Sequence, residues 1–156
     1  MTRLETLTTA LAACGLPATP DAAGHRLSAV LATAVADFRL LVWLDPEDGD
    51  VLFLVPGWLR VDPTVCAPEV RARLAELLLT LNWDLALGGF ELDPTDGEVR
   101  FRLACPWVDG HLGPASVRRC VAATRWACEH AWRACQSVLW GGAEVSAARA
   151  VWAQGA

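Results

Sequence analysis

The sequence has no lysine, no isoleucine and no tyrosine, so all 13 of its Lys/Arg positions are arginine. We interpret this bias as a preference for GC-rich codons and not as a sign of particular chemistry. The sequence also lacks a block of roughly five or six basic residues, and its net charge is −5. Direct binding of nucleic acid needs a concentrated basic surface, so we expect no nucleic-acid partner.

Long apolar runs are absent as well. No uninterrupted run approaches the roughly 20 residues of a membrane-spanning helix, although 54% of the residues are hydrophobic. Residues 11–15 are similar to the signal that precedes a lipidated cysteine, but four threonines stand where that signal needs apolar residues. The stretch from Thr2 to Cys14 is more typical of a helix that begins with a capping box of Thr2 and Glu5. We expect a cytoplasmic protein with no membrane partner.

Motifs for catalysis, cofactors and metals are missing too. There is no glycine-rich phosphate loop and no H-E-x-x-H sequence, and no two of the six cysteines form a C-x-x-C pair. Glu129 and His130 are adjacent in a predicted helix, where neighbouring side chains diverge by about 100°. His111 lies near glycines in a predicted loop, but no nucleophile motif accompanies it. We therefore expect no enzyme activity, no cofactor and no metal site.

The cysteines that are present indicate a buried helix face. Cys120, Cys128 and Cys135 fall on one side of a predicted helix, because their offsets correspond to rotations of only about 80° and 60°. A helix with three thiols on its packed side is most simply a core helix that uses cysteine as a small apolar residue. Unpaired thiols of this kind are typical of a reducing cytosol.

The most informative feature that is present is a hairpin that occurs twice, at residues 44–53 and 92–101. Each copy is typical of a strand, a tight acidic turn with proline and glycine, and a second strand. If each turn spans four residues, the cross-strand pairs follow from the two-residue period of the strands. One face of each hairpin is then apolar, as expected for a face that packs on the core.

The opposite faces of the two hairpins differ. In the second hairpin this face carries Glu91 opposite Arg100, with Arg102 beside them, as expected for a face in water. The same face of the first hairpin is apolar, and burying each such side chain is worth about 1.5–3 kcal/mol. We therefore expect a cover, either the protein's own helix or a partner, which would be a second subunit or a bound peptide. The apolar residues of this face are Leu41, Trp43, Leu52 and Leu54.

The rest of the pattern predicts an α+β protein in one domain, residues 1–156, with a short helical tail at residues 143–153. Amphipathic or capped segments predict helices, and alternating segments predict strands. Residues 25–36 fit either, since alanine favours a helix while alternate residues from Leu27 to Thr33 could form one face of a strand. The predicted helices are 2–14, 69–81 and 114–140, and the predicted strands are 38–44, 51–59, 83–92 and 98–105.

A distinctive set of residues lies in and around the second hairpin: Leu81-Asn82, Gly88, Phe90-Glu91-Leu92-Asp93, Gly97-Glu98-Val99 and Phe101-Arg102. With the long helix that follows, this set resembles the YbjN-like family. The resemblance covers about residues 70–140, and in the first half of the chain only the order of elements agrees. It implies the fold of type III secretion chaperones, an antiparallel sheet with packed helices in the order α-β-β-β-α-β-β-α. It also implies that residues 25–36 form a strand.

The resemblance further implies a small cytoplasmic bacterial protein, often dimeric, with chaperone-like or regulatory roles and no known catalytic residues. We predict a non-catalytic, chaperone-like protein that forms a homodimer and binds a client protein. The four apolar residues of the first hairpin are the candidate surface for the client or for the second subunit. The alternative is a regulatory module that senses a small ligand, and an enzyme of unrecognised type is less favoured. Secondary candidates for the surface are Trp126, Trp132 and Trp140, since the family motif does not require so much aromatic surface on the last helix.

Overall fold

The computed structural model describes residues 2–45, 49–107 and 112–154, which form one six-stranded antiparallel sheet and four helices. The predicted α+β architecture and the predicted order of elements are confirmed. A short strand, β1, is an addition to the predicted elements. The elements are α1 (Arg3–Ala13), β1 (Thr19–Pro20), β2 (Arg26–Ala32), β3 (Asp37–Leu44), β4 (Asp50–Arg60), α2 (Pro68–Asp84), β5 (Gly89–Leu92), β6 (Glu98–Pro106), α3 (Pro114–Leu139) and α4 (Val145–Ala153).

The two hairpins are joined in the sheet by the pairing of β4 with β6, and the strands follow the order β1-β2-β3-β4-β6-β5. Both hairpins have the predicted register, with Trp43 opposite Leu52 in the first and Glu91 opposite Arg100 in the second. The turn residues 46–48 of the first hairpin lie outside the described residues. Within the strands, the comparison of the two hairpin faces therefore holds as the sequence predicts.

The N-terminal segments follow the sequence closely. Residues 25–36 contain strand β2. Leu27, Ala29 and Leu31 point into the core, and Ser28 and Val30 lie on the opposite face. Helix α1 begins at the predicted capping box: the Thr2 hydroxyl accepts a hydrogen bond from the Glu5 N–H at 3.2 Å, and the Glu5 carboxylate accepts one from the Thr2 N–H at 2.7 Å. The strand reading of residues 25–36 is thus confirmed.

The predicted boundary between α2 and β5 is wrong. The sequence predicts a strand from Trp83, but α2 continues to Asp84 and β5 begins only at Gly89. Aromatic residues are common in strands, which is why Trp83 fits a strand locally. The better signal is the four-residue spacing from Leu79 to Trp83, which places both on one side of a continued helix.

The core lies between one face of the sheet and the helices packed on it. Helix α3 contributes the largest share of one wall, and Cys120, Cys128 and Cys135 are buried on its packed side as predicted. Trp58 is buried beneath α3 and donates a hydrogen bond from its ring N–H to the carbonyl of Cys128 at 3.2 Å. Among the described residues, no helix is both long enough and apolar enough to cross a membrane.

Candidate functional site

The other face of the sheet carries the apolar residues predicted from the first hairpin, which we call the apolar patch: Leu41, Trp43, Leu52 and Leu54. They form two rows across β3 and β4, with Leu41 opposite Leu54 and Trp43 opposite Leu52. A depression of about 180 Å³ lies over them, and side chains of β2, β3, β4 and β6 line it. The strands thus build a shallow apolar surface at the centre of the sheet.

The patch is open to solvent in the described part of the chain. Trp43 is 43% exposed, and the three leucines are half-buried by their neighbours in the sheet. Of the two covers that the sequence allows, the chain's own helix is not found over this face within residues 2–45, 49–107 and 112–154. Cover by a partner remains a prediction.

Arginines lie on two sides of the apolar patch. The guanidinium of Arg26 lies 5.5 Å from the centre of the Trp43 ring and 3.1 Å from the carboxylate of Asp21. On the other side, Arg100 and Arg102 share one carboxylate, that of Glu91, at 2.6 Å and 3.6 Å. On these two sides of the patch, three guanidinium groups thus meet two carboxylates, so the charge there is positive although the whole chain carries a net charge of −5.

The motif residues near the second hairpin have structural roles. The Asn82 side chain donates a hydrogen bond to the carbonyl of Phe90 at 2.9 Å and accepts one from its N–H at 2.7 Å, so it satisfies the outer side of the edge strand β5. Gly88 lies so close to the Phe101 ring that a Cβ would stand 2.5 Å from it. Asn82 and Gly88 therefore maintain the fold, whereas Arg102 of the same motif lines the depression over the apolar patch.

The three tryptophans proposed as secondary candidates lie in different surroundings. Trp126 is partly buried and its ring stacks on His130 at 4.6 Å between centroids. Trp132 is partly buried in an aromatic cluster, where its ring meets Trp58 edge-on at 5.6 Å. Trp140, at the end of α3, is 69% exposed. The structure does not bring these three together in one surface with the apolar patch.

A second exposed apolar pair lies on α2 and has no counterpart in the sequence prediction. Trp83 is 87% exposed, and Leu79, one helical turn before it, is 71% exposed. The signal that could have found this pair is the four-residue spacing on a helix that continues past Leu81. The sequence analysis did not find the pair because it placed Trp83 in the predicted strand and not in α2.

Titratable groups do not assemble into a metal-binding cluster in the described ranges. No group of three or more histidine, cysteine, aspartate or glutamate side chains there could hold a metal ion. Glu129 accepts a hydrogen bond from the N–H of Ala34 at 3.2 Å, and the His130 ring contacts the carbonyl of Trp126 at 2.7 Å. Both side chains thus have local structural contacts, and His111 lies outside the described residues.

The fold and this site define a class of protein: an α+β chain with helices on one face of an antiparallel sheet and an open apolar patch on the other. The sequence model of the YbjN family, described as "Putative bacterial sensory transduction regulator", matches residues 3–137. The chain belongs to the YbjN family, which confirms the family resemblance. No curated protein and no solved structure matches the chain.

Proposed function

We propose that this protein is a non-catalytic, chaperone-like regulator of the cytoplasm that binds a protein partner at the apolar patch. The observation that carries the proposal is the exposure of Trp43 among three leucines at the centre of the sheet, where the second hairpin carries charged residues. Exposed apolar surface of this kind with a polar rim is typical of an interaction site. The family description supports a regulatory role.

The rim of the patch favours one chemistry of partner. The charged residues that line the depression over the apolar centre are Arg26, Arg100 and Arg102. A partner segment with aliphatic or aromatic side chains flanked by aspartate or glutamate would fill the centre and pair with the rim. Two copies of this face placed against each other would bring arginine near arginine, so the patch suits a client protein better than a second copy.

Homodimer formation remains part of the proposal, at another surface. Leu79 and Trp83 are the most exposed large apolar neighbours on α2, and they lie apart from the apolar patch. A pair of this kind is a suitable centre for contact between two copies, because tryptophan often anchors interfaces. The client and the second copy would then use different faces of the molecule.

The partner surface is tested by Leu52→Arg with Leu54→Arg, assayed by selection of displayed peptides on the immobilised full-length protein. The wild type is expected to enrich peptides with apolar residues flanked by acidic ones. The double variant places charges where the second hairpin has Arg100 and Arg102, so it should fold and lose this enrichment. Circular dichroism checks the fold of the variant.

The matched control is Val30→Arg with Ala32→Arg, two exposed positions on the same face but outside the depression. This control should enrich the same peptides as the wild type. The partner surface is refuted if the folded Leu52/Leu54 variant enriches the wild-type peptides, or if the selected peptides are basic. Reversal of the rim by Arg100→Glu with Arg102→Glu should shift the selection toward basic peptides.

A small-ligand sensor is the second candidate, and one cavity favours it. A cavity of about 210 Å³ lies between α2 and the second hairpin turn, with Arg71, Leu74 and Pro94 among its lining residues. The Nε of Arg71 is buried there and has no hydrogen-bond partner among the described residues. Ligand pockets usually measure about 300–1,000 Å³, so this one suits only a very small anion. A rise in Tm with phosphate or acetate would favour this function over protein binding.

A further inference from the structure

Helix α4 lies beyond the part of the chain that the family shares. The family match ends at residue 137, two residues before α3 ends, and α4 begins at Val145. Between the helices the chain reverses at Gly142, whose φ of +63° favours glycine, and the N–H of Ala143 bonds to the carbonyl of Ser137 at 2.9 Å. The turn therefore directs α4 back onto the helices of the family domain.

Two residues anchor α4 in a groove between α2 and α3. Ala148 is fully buried and Trp152, four residues later, is 3% exposed, so both lie on one side of the helix. The Trp152 ring meets the Trp126 ring of α3 edge-on, with 4.8 Å between the centroids. A small residue that allows close approach and a large aromatic residue thus form the apolar contact.

Two ion pairs to α2 match the direction of α4. Glu144, just before the helix, lies 3.3 Å from Arg73, and Arg149 in its middle lies 3.1 Å from Asp84. Because the charges are opposite at the two places, a reversed helix would bring like charges together. The groove therefore selects both the apolar side and the polarity of the helix that it holds.

The groove extends beyond the residues that α4 occupies. A cavity of about 580 Å³ lies along α3 and the segment after α2, with Leu85, Leu87 and Ala123 among its lining residues. Asp84 and Trp126, which contact α4, also line this cavity, so it is continuous with the α4 site. A longer helix would keep the contacts of α4 and add apolar contacts with Leu85 and Leu87.

The short length of α4 allows another helix to displace it from the groove. It has nine residues, and isolated helices shorter than about 12–15 residues are marginal in water. Its helical state therefore depends on the groove, and local release of a short terminal element leaves the rest of a fold in place. A competing helix with more contacts can take its position.

We propose that the groove between α2 and α3 is a docking site for an amphipathic helix, which α4 fills within the same chain and a partner helix takes over. The partner helix carries a small residue and a tryptophan four positions apart. An acidic residue before them faces Arg73, a basic residue faces Asp84, and a further apolar turn reaches Leu85 and Leu87. The site is distinct from the apolar patch, and the proposal does not depend on the function proposed above.

The test uses Ala148→Arg in the full-length chain and a fluorescent peptide with the sequence of residues 143–154. Arginine at the buried position should release α4 and leave the groove vacant, whereas Ala147→Arg, at the exposed neighbouring position, should leave α4 docked. Fluorescence anisotropy should show the peptide binding Ala148→Arg at least about 10-fold more tightly than Ala147→Arg, because attached α4 competes at high effective concentration. A peptide with alanine for its tryptophan should not bind.

Hydrogen exchange on the wild type gives a second measurement that needs no buried charge. Saturating peptide should accelerate exchange of the α4 amides and leave the sheet amides unchanged. Equal peptide affinity for the two variants, or α4 exchange that the peptide does not alter, would overturn the proposal. Light scattering adds a further criterion: a dimer that Ala148→Arg abolishes and Ala147→Arg retains would place α4 in the groove of a second copy, which contradicts docking within the chain.

Discussion

Asn82 and Gly97 illustrate how single residues of the family motif act on the backbone. Asn82 supplies the edge strand β5 with the hydrogen bonds that a further strand would otherwise provide. Gly97 has a φ of +73°, and a Cβ there would stand 1.9 Å from the carbonyl oxygen of Val61, so the turn of the second hairpin needs glycine. Asn82 and Gly97 of the family motif therefore help to specify the fold.

Replacement of Asn82 by alanine should lower the free energy of unfolding by about 1–3 kcal/mol, because the partly buried N–H and C=O of Phe90 lose their partners. Asn82→Asp keeps the acceptor for the Phe90 N–H but sets a carboxylate oxygen against the Phe90 carbonyl, so it should also lower the free energy of unfolding. Urea denaturation measures both, and Thr80→Ala, which removes a hydroxyl bonded only within the helix, is the control. A loss for Asn82→Ala no larger than that of Thr80→Ala would contradict this role.

At the scale of elements, the amphipathic helix α3 uses cysteine as a buried core residue. Burial raises the pKa of the Cys120 and Cys135 thiols to about 12 and raises the pKa of the Cys128 thiol as well. Cys14, Cys66 and Cys105 are only partly buried. The two sets should therefore differ in chemical reactivity, since the thiolate is the reactive form.

Native protein at pH 8 should react with a thiol reagent in two classes. A rise in pKa from 9.0 to about 12 lowers the thiolate fraction about 1,000-fold, so the three α3 thiols should react far more slowly than the others. In denaturant without reductant, six equivalents should react, which tests whether all six thiols are free. Three fast native thiols that include a residue of α3 would contradict the packing of this helix.

The same shift predicts the direction of alkaline instability. Because the pKa values of these thiols are raised in the folded state, their contribution to the free energy of unfolding is fully present below about pH 9. It is lost as the pH rises toward about 12, because unfolded thiols ionise in this range and folded ones do not. The chain has no lysine and no tyrosine, so cysteine is the side chain that titrates in this window. In urea denaturation series between pH 8 and 11, the free energy of unfolding should fall less for Cys135→Ala than for the wild type.

At the scale of the whole molecule, exposed apolar surface remains after the core is complete. Trp83 and Leu79 on α2, together with Trp43 in the sheet, are exposed in one chain. Monomers usually expose apolar residues singly and not as large contiguous patches. This distribution agrees with a protein that acts through contacts with other chains.

A homodimer is expected at micromolar concentration, and light scattering after size exclusion should give twice the chain mass of 16.8 kDa. Leu79→Gln with Trp83→Gln should shift the mass toward one chain, because both positions are exposed and tolerate polar residues. The Leu52→Arg with Leu54→Arg variant should remain dimeric, since we propose that the apolar patch binds a client and not a second copy. A single-chain mass for the wild type across concentrations would rule out the dimer.

The sequence by itself determined most of the element order, except at residues 25–36, where local patterns fitted both helix and strand. It also determined the register of both hairpins and the buried side of α3. Local rules suffice for these features, because strand alternation, turn residues and helical spacing are properties of neighbours along the chain. Comparison of the two hairpins also located the apolar patch before the fold was known. Only the tertiary structure decided that no helix among the described residues covers this face, because cover depends on elements distant in sequence.

Other features needed the folded chain for the same reason. The exposed pair Leu79 and Trp83 emerged only when α2 proved to extend to Asp84, and burial of Trp152 depends on a groove formed by α2 and α3. The arginine rim likewise combines β2 with β6, which the strand order brings to opposite sides of one patch. Sequence patterns report which side of an element is apolar, whereas packing decides what that side meets.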